Sequence, residues 1–373
     1  MKTVIEFIAC LVDGGSQTVV RNYAERIDQS DISLIILTLY SYEKSAVQKA
    51  IAKMGIPVIS LYPGYNFFFR AINKLFGRQI TSFLLKRKIV QLQPCAIHIH
   101  SPQLKIFEPI RFSIGNNVKL FYTCHTLPKL SFSKRVLENE KAAAKTLIRD
   151  NNLKIIALHE KMSEELNHLL CINNTVVLKN GIDITKYKNI GETKNEIRKS
   201  LNIPTDIYVV GHVGRFAKEK NQVFLLDIFV KVLRHKEAHL VLVGDGVAGD
   251  FFSVIKEKIK ELGIEKKVTI LSHRNDVHRI LKAFDIFVFP SLYEGLGMAL
   301  LEAQAAGLRC VVSDSVPDVA RVLDSTVTVS LNKPAEYWCD VILDESITQP
   351  YTAMLEEYDI NQTVKKLQKM YIG

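Results

Sequence analysis

The sequence predicts an α/β protein whose two domains each contain a doubly wound, mainly parallel sheet, and three observations support this prediction. The chain has 373 residues, and at about 150 residues per domain this length favours two domains. Apolar residues make up 47% and charged residues 24% of the chain, as in folded globular proteins. Short apolar, β-branched runs alternate with longer segments of helical periodicity, which is the pattern of strands joined by crossover helices.

Seven apolar runs in the first half have the composition of strands. They are Thr3–Ala9, Leu34–Leu39, Val58–Leu61, Ala96–Ile99, Lys119–Thr123, Ile155–Leu158 and Val176–Leu178. The first run contains an acid, Glu6, and no small-residue cleavage site follows it, so it is interpreted as a strand rather than a secretory signal. Between the first two runs, Gln17–Ile27 carries apolar side chains at helical spacing.

The same alternation restarts after Asp206. The predicted strands of the second half are Ile207–Val213, Leu240–Val243, Val268–Leu271, Ile286–Phe289, Cys310–Ser313 and Thr326–Val329. Helices are predicted over Asn221–Arg234 and Phe252–Leu262, and a short amphipathic helix over Asn361–Tyr371. The segment from 180 to 204 is polar and contains two glycines and a proline, which places the domain boundary there.

Two wound domains leave a cleft between them, and ligands of such sheets bind beyond the carboxyl ends of the strands. The first motif at such a position is the pair Gly14 and Gly15, flanked by Asp13 and Ser16. Paired glycines let backbone N–H groups approach an anion at a helix N-terminus, although they are also typical of a plain tight turn. The pair is not G-x-G-x-x-G, so the dinucleotide fingerprint of nicotinamide enzymes is absent.

A second motif places two cations after the strand Ile207–Val213. Arg215 follows the strand and Lys220 precedes the next helix. Two cations beside a helix N-terminus suit a diphosphate with about two negative charges. A solvated basic loop would have the same composition.

The third motif, 290–302, follows the apolar strand Ile286–Phe289 and opens a helix predicted over Met298–Ala306. Glu294 stands in the loop and Glu302 in the early turns of the helix. The backbone amides of 295–299 are expected to be free donors. A loop carboxylate can accept hydrogen bonds from sugar hydroxyls, and a helical one from a ribose. This is the most specific signal in the chain.

Histidines form the fourth group. His125 follows the strand Lys119–Thr123 and is the best placed for proton handling or for bonding a sugar hydroxyl. His98 is interpreted as a core residue, while for His100 both interpretations stay open. Asp245, after another predicted strand, is a further candidate.

The net charge of +10 lies entirely in the first half: residues 1–182 carry 24 basic and 13 acidic side chains, and residues 183–373 carry 25 and 26. No acid occurs between Glu43 and Glu108, a stretch with ten basic residues and several aromatics around 62–83. This pattern favours contact with an anionic membrane surface. A solvated basic face would carry the same pattern, and no nucleic-acid motif accompanies the charge.

Six cysteines without a C-x-x-C pair give no support to a zinc or redox motif and are typical of a reducing cytosol. No apolar run reaches the roughly 18 residues needed to span a bilayer.

Taken in order, these motifs resemble the retaining glycosyltransferases of family 4, which have the GT-B fold. The resemblance rests on the Gly14–Gly15 loop, the segment 180–183, Arg215 with Lys220, the segment 243–246, and the E-x7-E element from Glu294 to Glu302. The final segment is similar to that of bacterial exopolysaccharide and capsule glycosyltransferases. The resemblance implies two Rossmann-like domains facing each other across the cleft: residues 1–182 on the acceptor side, completed by a returning helix at about 359–373, and residues 183–358 binding the nucleotide sugar.

The resemblance also implies roles in the second domain. Arg215 and Lys220 would hold the donor diphosphate, and Glu302 would bind the nucleotide ribose. The loop of His273 and Arg274 would meet the nucleobase.

Glu294, with the backbone amides of Leu296, Gly297 and Met298, would contact the donor hexose and its phosphate.

In the first domain, Gly14 and Gly15 would approach the diphosphate and His125 would lie near the reacting sugar. The segment with Asn180, Gly181 and Asp183 would be the hinge. The residues expected to act directly in the reaction are His125, Arg215, Lys220 and Glu294.

The implied enzyme is a cytoplasmic hexosyltransferase, peripherally bound to the inner face of the cell membrane. It would move a sugar from a UDP-linked hexose or N-acetylhexosamine to a lipid-linked oligosaccharide in surface polysaccharide synthesis, without a metal or other cofactor. Two alternatives stay open: a nucleotide-sugar 2-epimerase of the same fold, and a non-catalytic protein that binds membranes or polysaccharide.

Overall fold

The computed structural model describes residues 1–12, 14–42, 45–115, 117–132, 138–244, 251–272, 274–346 and 353–373. The chain divides into two compact units. Unit 1 comprises residues 1–181 and 360–373, and unit 2 comprises residues 182–359.

Unit 1 contains a seven-stranded parallel sheet in the order β3-β2-β1-β4-β5-β6-β7. Its strands are β1 (Lys2–Cys10), β2 (Ile32–Tyr40), β3 (Val58–Tyr62), β4 (Ala96–Ile99), β5 (Lys119–Thr123), β6 (Lys154–Ala157) and β7 (Val176–Val177).

Helices follow the strands of unit 1. They are α1 (Gly15–Ala24), α2 (Ala46–Lys53), α3 (Phe67–Phe76), α4 (Ser82–Leu92), α5 (Leu104–Phe107), α6 (Pro128–Phe132), α7 (Glu138–Asn151) and α8 (Glu160–Leu170). A single π-helical turn over Gly77–Thr81 joins α3 to α4, and a 3₁₀ turn over Glu108–Ser113 follows α5.

Unit 2 contains a six-stranded parallel sheet in the order β10-β9-β8-β11-β12-β13. Its strands are β8 (Tyr208–Val213), β9 (Ala238–Val243), β10 (Val268–Leu271), β11 (Ile286–Phe289), β12 (Arg309–Ser313) and β13 (Thr326–Val329). Its helices are α9 (Ile184–Lys188), α10 (Lys194–Ser200), α11 (Gln222–Val232), α12 (Phe251–Glu261), α13 (Val277–Leu281), α14 (Met298–Ala305) and α15 (Ala335–Leu343), with 3₁₀ turns at Lys218–Lys220, Glu265–Lys267, Asp318–Ala320 and Ala353–Tyr358.

The last helix, α16 (Ile360–Ile372), packs into the core of unit 1. Its apolar stripe of Ile360, Val364 and Leu367 is buried with strand and helix residues of that unit. The spacing of this stripe is that of one helix face, which explains why so short an amphipathic helix is stable in this position. The predicted contact of the final helix with the first domain is therefore confirmed.

The predicted fold class is also confirmed, since both sheets are parallel and helices alternate with strands. Each of the thirteen predicted strands is present with its ends within two residues of the prediction. Strands such as β9 and β11 are buried along their whole length, and strands covered on both faces are mainly apolar, which made them visible in the sequence. The first helix differs more: it begins at Gly15 and ends at Ala24, although Ile27 beyond it still packs in the core.

The strand order reverses beside the first strand of each sheet, between β1 and β4 in unit 1 and between β8 and β11 in unit 2. Loops that leave such neighbouring strands depart to opposite faces of the sheet and open a crevice at its carboxyl edge. The predicted motifs at Gly14–Gly15, at Arg215 and at Glu294 all lie on loops or helix starts that follow β1, β8 or β11.

The chain leaves unit 1 after Gly181 and returns to it at Ile360. A Cβ atom on Gly181 would lie 2.4 Å from the Cα atom of Ile360, so only glycine allows the two chain segments to pass at this distance. The Ile182 N–H donates to the Tyr358 carbonyl at 2.7 Å, and Asp183 precedes α9. Asn180 is buried.

Among the described residues, no helix is both long enough and apolar enough to cross a bilayer.

Replacement of Gly211 in β8 tests the packing of unit 2. A Cβ atom there would lie 1.8 Å from a ring atom of Phe284, so Gly211→Ala forces the buried ring to move. Such overpacking typically costs about 1–3 kcal/mol of the free energy of unfolding. Gly191→Ala is the matched control because its Cβ atom would meet nothing within 4 Å. Urea denaturation should show a lower midpoint for Gly211→Ala alone, and equal midpoints for the two variants would contradict the described packing.

Candidate functional site

An ion pair between Lys220 and Glu294 lies at the carboxyl edge of the unit 2 sheet. Lys220 ends the 3₁₀ turn after β8, and Glu294 stands in the loop after β11. The Lys220 Nζ atom lies 2.6 Å from Glu294 Oε1 and 2.9 Å from Oε2. The side chains of Lys220 and Glu294 are only 18% and 9% exposed, so the pair is weakly screened by solvent. The structure thus brings together two of the predicted site residues.

Two further hydrogen bonds hold the loops that carry this pair. The Asn221 Nδ2 group donates to the Pro290 carbonyl at 3.0 Å, and the Leu292 N–H donates to the Glu219 carbonyl at 2.8 Å. Asn221 adopts a left-handed conformation with φ of 57°, which asparagine tolerates better than most residues. The ammonium of Lys220 also lies 5.1 Å from the centre of the Phe289 ring, a cation–π distance. The position of the ammonium is therefore fixed from several sides.

Beneath the loop, His212 and Gln222 support the backbone of Arg215. Both side chains are fully buried. The Gln222 Nε2 group donates to the Arg215 carbonyl at 2.9 Å, and His212 Nδ1 bonds to the Val288 carbonyl at 2.9 Å. Burial lowers the pKa of His212 to about 4, so its ring is neutral near pH 7 and donates from Nδ1. The sequence reasoning missed both residues, although a histidine within an apolar strand was a usable signal.

Arg215 lies on the same loop but pairs with a different acid. Its Nη2 atom is 2.5 Å from Glu219 Oε1, and its side chain is 47% exposed. An exposed pair of this kind contributes little to stability, about 0–1 kcal/mol. The guanidinium of Arg215 can therefore leave Glu219 and bind an incoming anion at small cost.

The loop after β11 leads directly into α14. Gly297 has φ of +87° and precedes the first helical residue, Met298. This left-handed conformation favours glycine. The Leu300 N–H donates to the Gly297 carbonyl at 2.9 Å, whereas the N–H groups of Met298 and Ala299 have no carbonyl acceptor within their own helix. They form an electropositive end that follows the loop of Glu294. Leu296 is buried, and Glu302 lies half-buried one turn further along α14.

The structure does not bring every predicted residue to this pair. Arg274 bonds through two nitrogens to Asp276, at 2.8 and 2.6 Å, and so engages its own loop. His273, together with Asp245 and Asp13 of the other motifs, lies outside the described residues.

In unit 1, Gly14 and Gly15 lie between β1 and α1. Gly15 is the first residue of α1, and a Cβ atom there would meet nothing within 4 Å. Gly14 has an extended backbone with φ of 178°, which any residue can adopt. Neither glycine is required by local backbone strain.

His125 follows β5, where it contacts a buried polar cluster. Its Nε2 atom lies 2.9 Å from His100 Nδ1, and His100 Nε2 forms a short hydrogen bond with Glu6 Oε2. Burial, together with the neighbouring His100, lowers the pKa of His125 well below its usual value. His125 is therefore neutral near pH 7 and can accept a hydrogen bond.

His98 and Tyr371 complete this cluster. His98 Nδ1 lies 2.5 Å from the Tyr371 hydroxyl, which donates to Glu6 Oε1 at 2.6 Å, and His98 Nε2 lies 2.7 Å from Thr123 Oγ1. His98 is fully buried with both ring nitrogens bonded, as its interpretation as a core residue requires. The sequence reasoning missed Glu6 and Tyr371, although an acid inside an otherwise apolar strand was a signal.

Among the described residues, the groups within reach of a shared cation are Glu6, His98 and His100, whose potential ligand atoms lie within 4.8 Å of one another. All three side chains are buried and hydrogen bonded to protein partners. We therefore interpret the cluster as a hydrogen-bonded network rather than a metal centre.

Two family profiles match the chain. "Glycosyltransferase Family 4" matches residues 13–186, and "Glycosyl transferases group 1" matches residues 193–339. The putative glycosyltransferase EpsF of Bacillus subtilis is 27% identical over 99% of this chain and 96% of its own length. The UDP-Gal:alpha-D-GlcNAc-diphosphoundecaprenol alpha-1,3-galactosyltransferase of Escherichia coli is 27% identical over 58% of this chain and 57% of its own length.

A similar solved structure is the crystal structure of Anabaena HepE in complex with UDP and glucose. The two chains share 18% sequence identity with a TM-score of 0.79, and the match covers 99% of each chain.

A double-mutant cycle tests the buried ion pair through the free energy of unfolding. Lys220→Met and Glu294→Gln should each destabilise the protein by leaving a partner unpaired, and the double variant should lose less than the sum, with a coupling of about 1–3 kcal/mol. The exposed pair of Lys236 and Glu345, at 2.6 Å, is the control and should couple by less than about 1 kcal/mol. Equal coupling in the two cycles would contradict the burial described for Lys220.

Proposed function

We propose a specific reaction for this chain, which belongs to glycosyltransferase family 4 and is a retaining glycosyltransferase of the GT-B fold that uses a nucleotide sugar. The reaction is transfer of a hexose or N-acetylhexosamine from a UDP-linked donor to a lipid-linked oligosaccharide during bacterial surface polysaccharide synthesis. The observation that carries the donor half of this proposal is the ion pair of Lys220 and Glu294 beside the start of α14.

The ion pair suits recognition of a sugar diphosphate as one unit. A diphosphate with about two negative charges competes with the Glu294 carboxylate for the ammonium of Lys220. When Lys220 bonds the diphosphate, the carboxylate of Glu294 is released to accept hydrogen bonds from sugar hydroxyls. Anion and sugar are thereby recognised by two groups that already lie 2.6 Å apart.

Charge develops on the diphosphate as the bond between the sugar C1 and the phosphate oxygen breaks. Once Lys220 and Arg215 have exchanged Glu294 and Glu219 for the diphosphate, they and the free amides of Gly297 and Met298 are donors that can stabilise this charge. Glu302, one turn along α14, is assigned to the ribose. These groups suffice to stabilise the leaving group by cations and a helix dipole, which is how we propose that the transfer proceeds.

The acceptor oxygen forms its bond to C1 on the face from which the diphosphate leaves, as retention requires, and its proton passes to the departing diphosphate oxygen on that same face. His125 is assigned to the reacting sugar, since its neutral ring can accept a hydrogen bond from a sugar hydroxyl.

The choice of UDP is supported by relatives. The solved structure of Anabaena HepE holds UDP and glucose, and the name of the Escherichia coli relative specifies UDP-Gal and a diphosphoundecaprenol-linked acceptor. EpsF, a putative glycosyltransferase, matches almost the whole of this chain.

A membrane-bound acceptor is supported by α3 and α4 of unit 1. None of the residues of α3 is buried, although the helix is mainly apolar. Its side chains Phe67, Phe68 and Leu75 are 87%, 64% and 69% exposed. A mainly apolar helix that buries no residue within its own domain is typical of helices that lie in a membrane interface.

An open cavity of about 620 Å³ is lined by Phe83, Lys86, Arg87 and Val90 of α4. Alternating apolar and basic side chains suit the acyl chains and the phosphates of an anionic lipid surface, where each cation contributes about 1 kcal/mol.

A transfer assay with a panel of nucleotide sugars tests the donor assignment. We expect turnover with a UDP-linked hexose or N-acetylhexosamine, and a thermal shift on addition of UDP. Lys220→Ala should lower kcat by about 10²-fold or more, because a preorganised donor is typically worth 10²–10³ in rate. Glu294→Ala should lower kcat by a similar factor, because it removes the acceptor that orients the sugar hydroxyls. Lys236→Ala, in the exposed pair, should keep the full rate. Near-normal rates for both site variants would refute the site, and absence of turnover with every donor by folded protein would refute the proposed reaction.

Vesicle sedimentation tests the membrane surface. The protein should bind vesicles that contain 30% phosphatidylglycerol and should bind pure phosphatidylcholine less, with binding that weakens as salt rises. Phe67→Ser combined with Phe68→Ser should weaken binding further by removing apolar contact. The control is Val254→Ser, an exposed apolar residue of unit 2 that is 41% exposed. Binding that ignores lipid charge and the α3 substitutions would exclude this surface.

A further inference from the structure

A continuous chain of hydrogen bonds joins His125 at the sheet edge to the last helix of the chain. Its centre is Glu6, a fully buried carboxylate in the middle of β1. Glu6 is in register with His98 of the adjacent strand β4. His98 and His100 are two residues apart, so they lie on the same side of the sheet. The carboxylate therefore has two imidazoles beside it.

The tyrosine hydroxyl fixes the proton on one side of the carboxylate. Tyr371 donates to Glu6 Oε1 at 2.6 Å, so its oxygen must accept the proton of His98 Nδ1, at 2.5 Å. His98 Nε2 is then the acceptor of the Thr123 hydroxyl at 2.7 Å. Burial, together with His100 and His125, lowers the pKa of His98 well below its usual value, in agreement with a neutral ring.

The other side of the carboxylate leads to the candidate site. Glu6 Oε2 accepts a hydrogen bond from His100 Nε2. A neutral His100 protonated at Nε2 has its lone pair on Nδ1, which lies 2.9 Å from His125 Nε2. His125 must then carry its proton on Nε2, and its remaining lone pair is on Nδ1.

We propose that Glu6 is a positioning residue for His125. Its ionised carboxylate holds the proton of His100 on Nε2, and His100 in turn orients the His125 ring with Nδ1 as the acceptor. Tyr371 holds the carboxylate from the last helix. This inference rests on the proposed function, in which His125 contacts the reacting sugar.

The physical reason for assigning this role to Glu6 is the free-energy cost of burying its carboxylate. An unpaired carboxylate in a protein interior is strongly destabilising, and a set of aimed donors offsets that destabilisation. Glu6 has such donors in Tyr371 and His100. His98 Nδ1 also lies near the carboxylate, 3.4 Å from Oε2. A carboxylate that orients a histidine through its far ring nitrogen is the arrangement found in acid–histidine pairs of catalytic sites, and here a second histidine extends it. An apolar residue at position 6 would pack without the free-energy cost of burying a carboxylate. The presence of an acid there is therefore explained by its orientation of His100 and, through it, of His125.

Other polar groups face the cluster without entering it. Tyr23 of α1 has its ring centre 6.2 Å from that of His100, but its hydroxyl donates to Asn180 at 3.4 Å. Tyr23→Phe is therefore a matched control for Tyr371→Phe.

Glu140 of α7 is another buried carboxylate of unit 1, and Glu140→Gln is the matched control for Glu6→Gln.

Kinetics on the intact protein separates positioning from structure. Glu6→Gln and Tyr371→Phe should lower kcat about 10-fold or more while the KM for the nucleotide sugar changes less than 2-fold, and His125→Ala should lower kcat at least as much. Glu140→Gln and Tyr23→Phe should keep the kcat of the unchanged protein. Full kcat in Glu6→Gln would overturn the proposal.

Nitrogen-15 spectra of selectively labelled histidines test the proton positions independently of activity and of any variant's folding. In the unchanged protein, His100 and His125 should show protonated Nε2 and bare Nδ1. A proton on His125 Nδ1, or one equivalent of bound zinc in metal analysis, would overturn the inference while leaving the transfer reaction intact. Correct proton positions together with full kcat in His125→Ala would instead remove His125 from the proposed function, and Glu6 would lose its role with it.

Discussion

The reversal of strand order beside the first strand of each sheet is the constraint on which both candidate sites depend. In unit 2, the reversal lies between β8 and β11, so the loops after these two strands leave on opposite faces and meet only at the carboxyl edge. Lys220 and Glu294 belong to those two loops and are 74 residues apart in the chain. Their ion pair exists because the topology, rather than local sequence, places the two loops side by side. The same reversal in unit 1 places the loop of Gly15 beside the strand that leads to His100.

Buried parallel strands explain how much of the fold the sequence predicts. Strands such as β11 are buried along their whole length, so every residue is apolar and the run is conspicuous. The site residues were found for a related reason, because Arg215, Lys220, Glu294 and Glu302 follow such runs. Their partners could not be found in this way. That Arg215 pairs with Glu219 while Lys220 pairs with Glu294 depends on side-chain directions that spacing alone does not give.

The polar cluster of unit 1 shows a second limit of the sequence. Glu6 sits in a strand whose neighbours are apolar, and only the register of β1 against β4 reveals that it faces His98. Tyr371 belongs to a helix that is 365 residues away from Glu6 in the chain. The amphipathic pattern of α16 predicts a helix but does not specify which core it enters. Long-range polar contacts of this kind are set by tertiary packing, which also makes the last helix part of the surroundings of His125.

The two halves of the chain recognise charge in different ways. Residues 1–182 carry a net charge of +11 and residues 183–373 a net charge of −1. A large excess of one sign creates a field that attracts an anionic surface over a distance of about a Debye length, and the exposed apolar face of α3 adds short-range contact to it. The second half has no such excess, so under the proposed function a nucleotide diphosphate would be held there by local placement. Two cations and one helix end lie on segments held by Asn221, Gln222 and Gly297. In that proposal, discrimination of the donor depends on geometry, and attraction to the acceptor's surface depends on total charge.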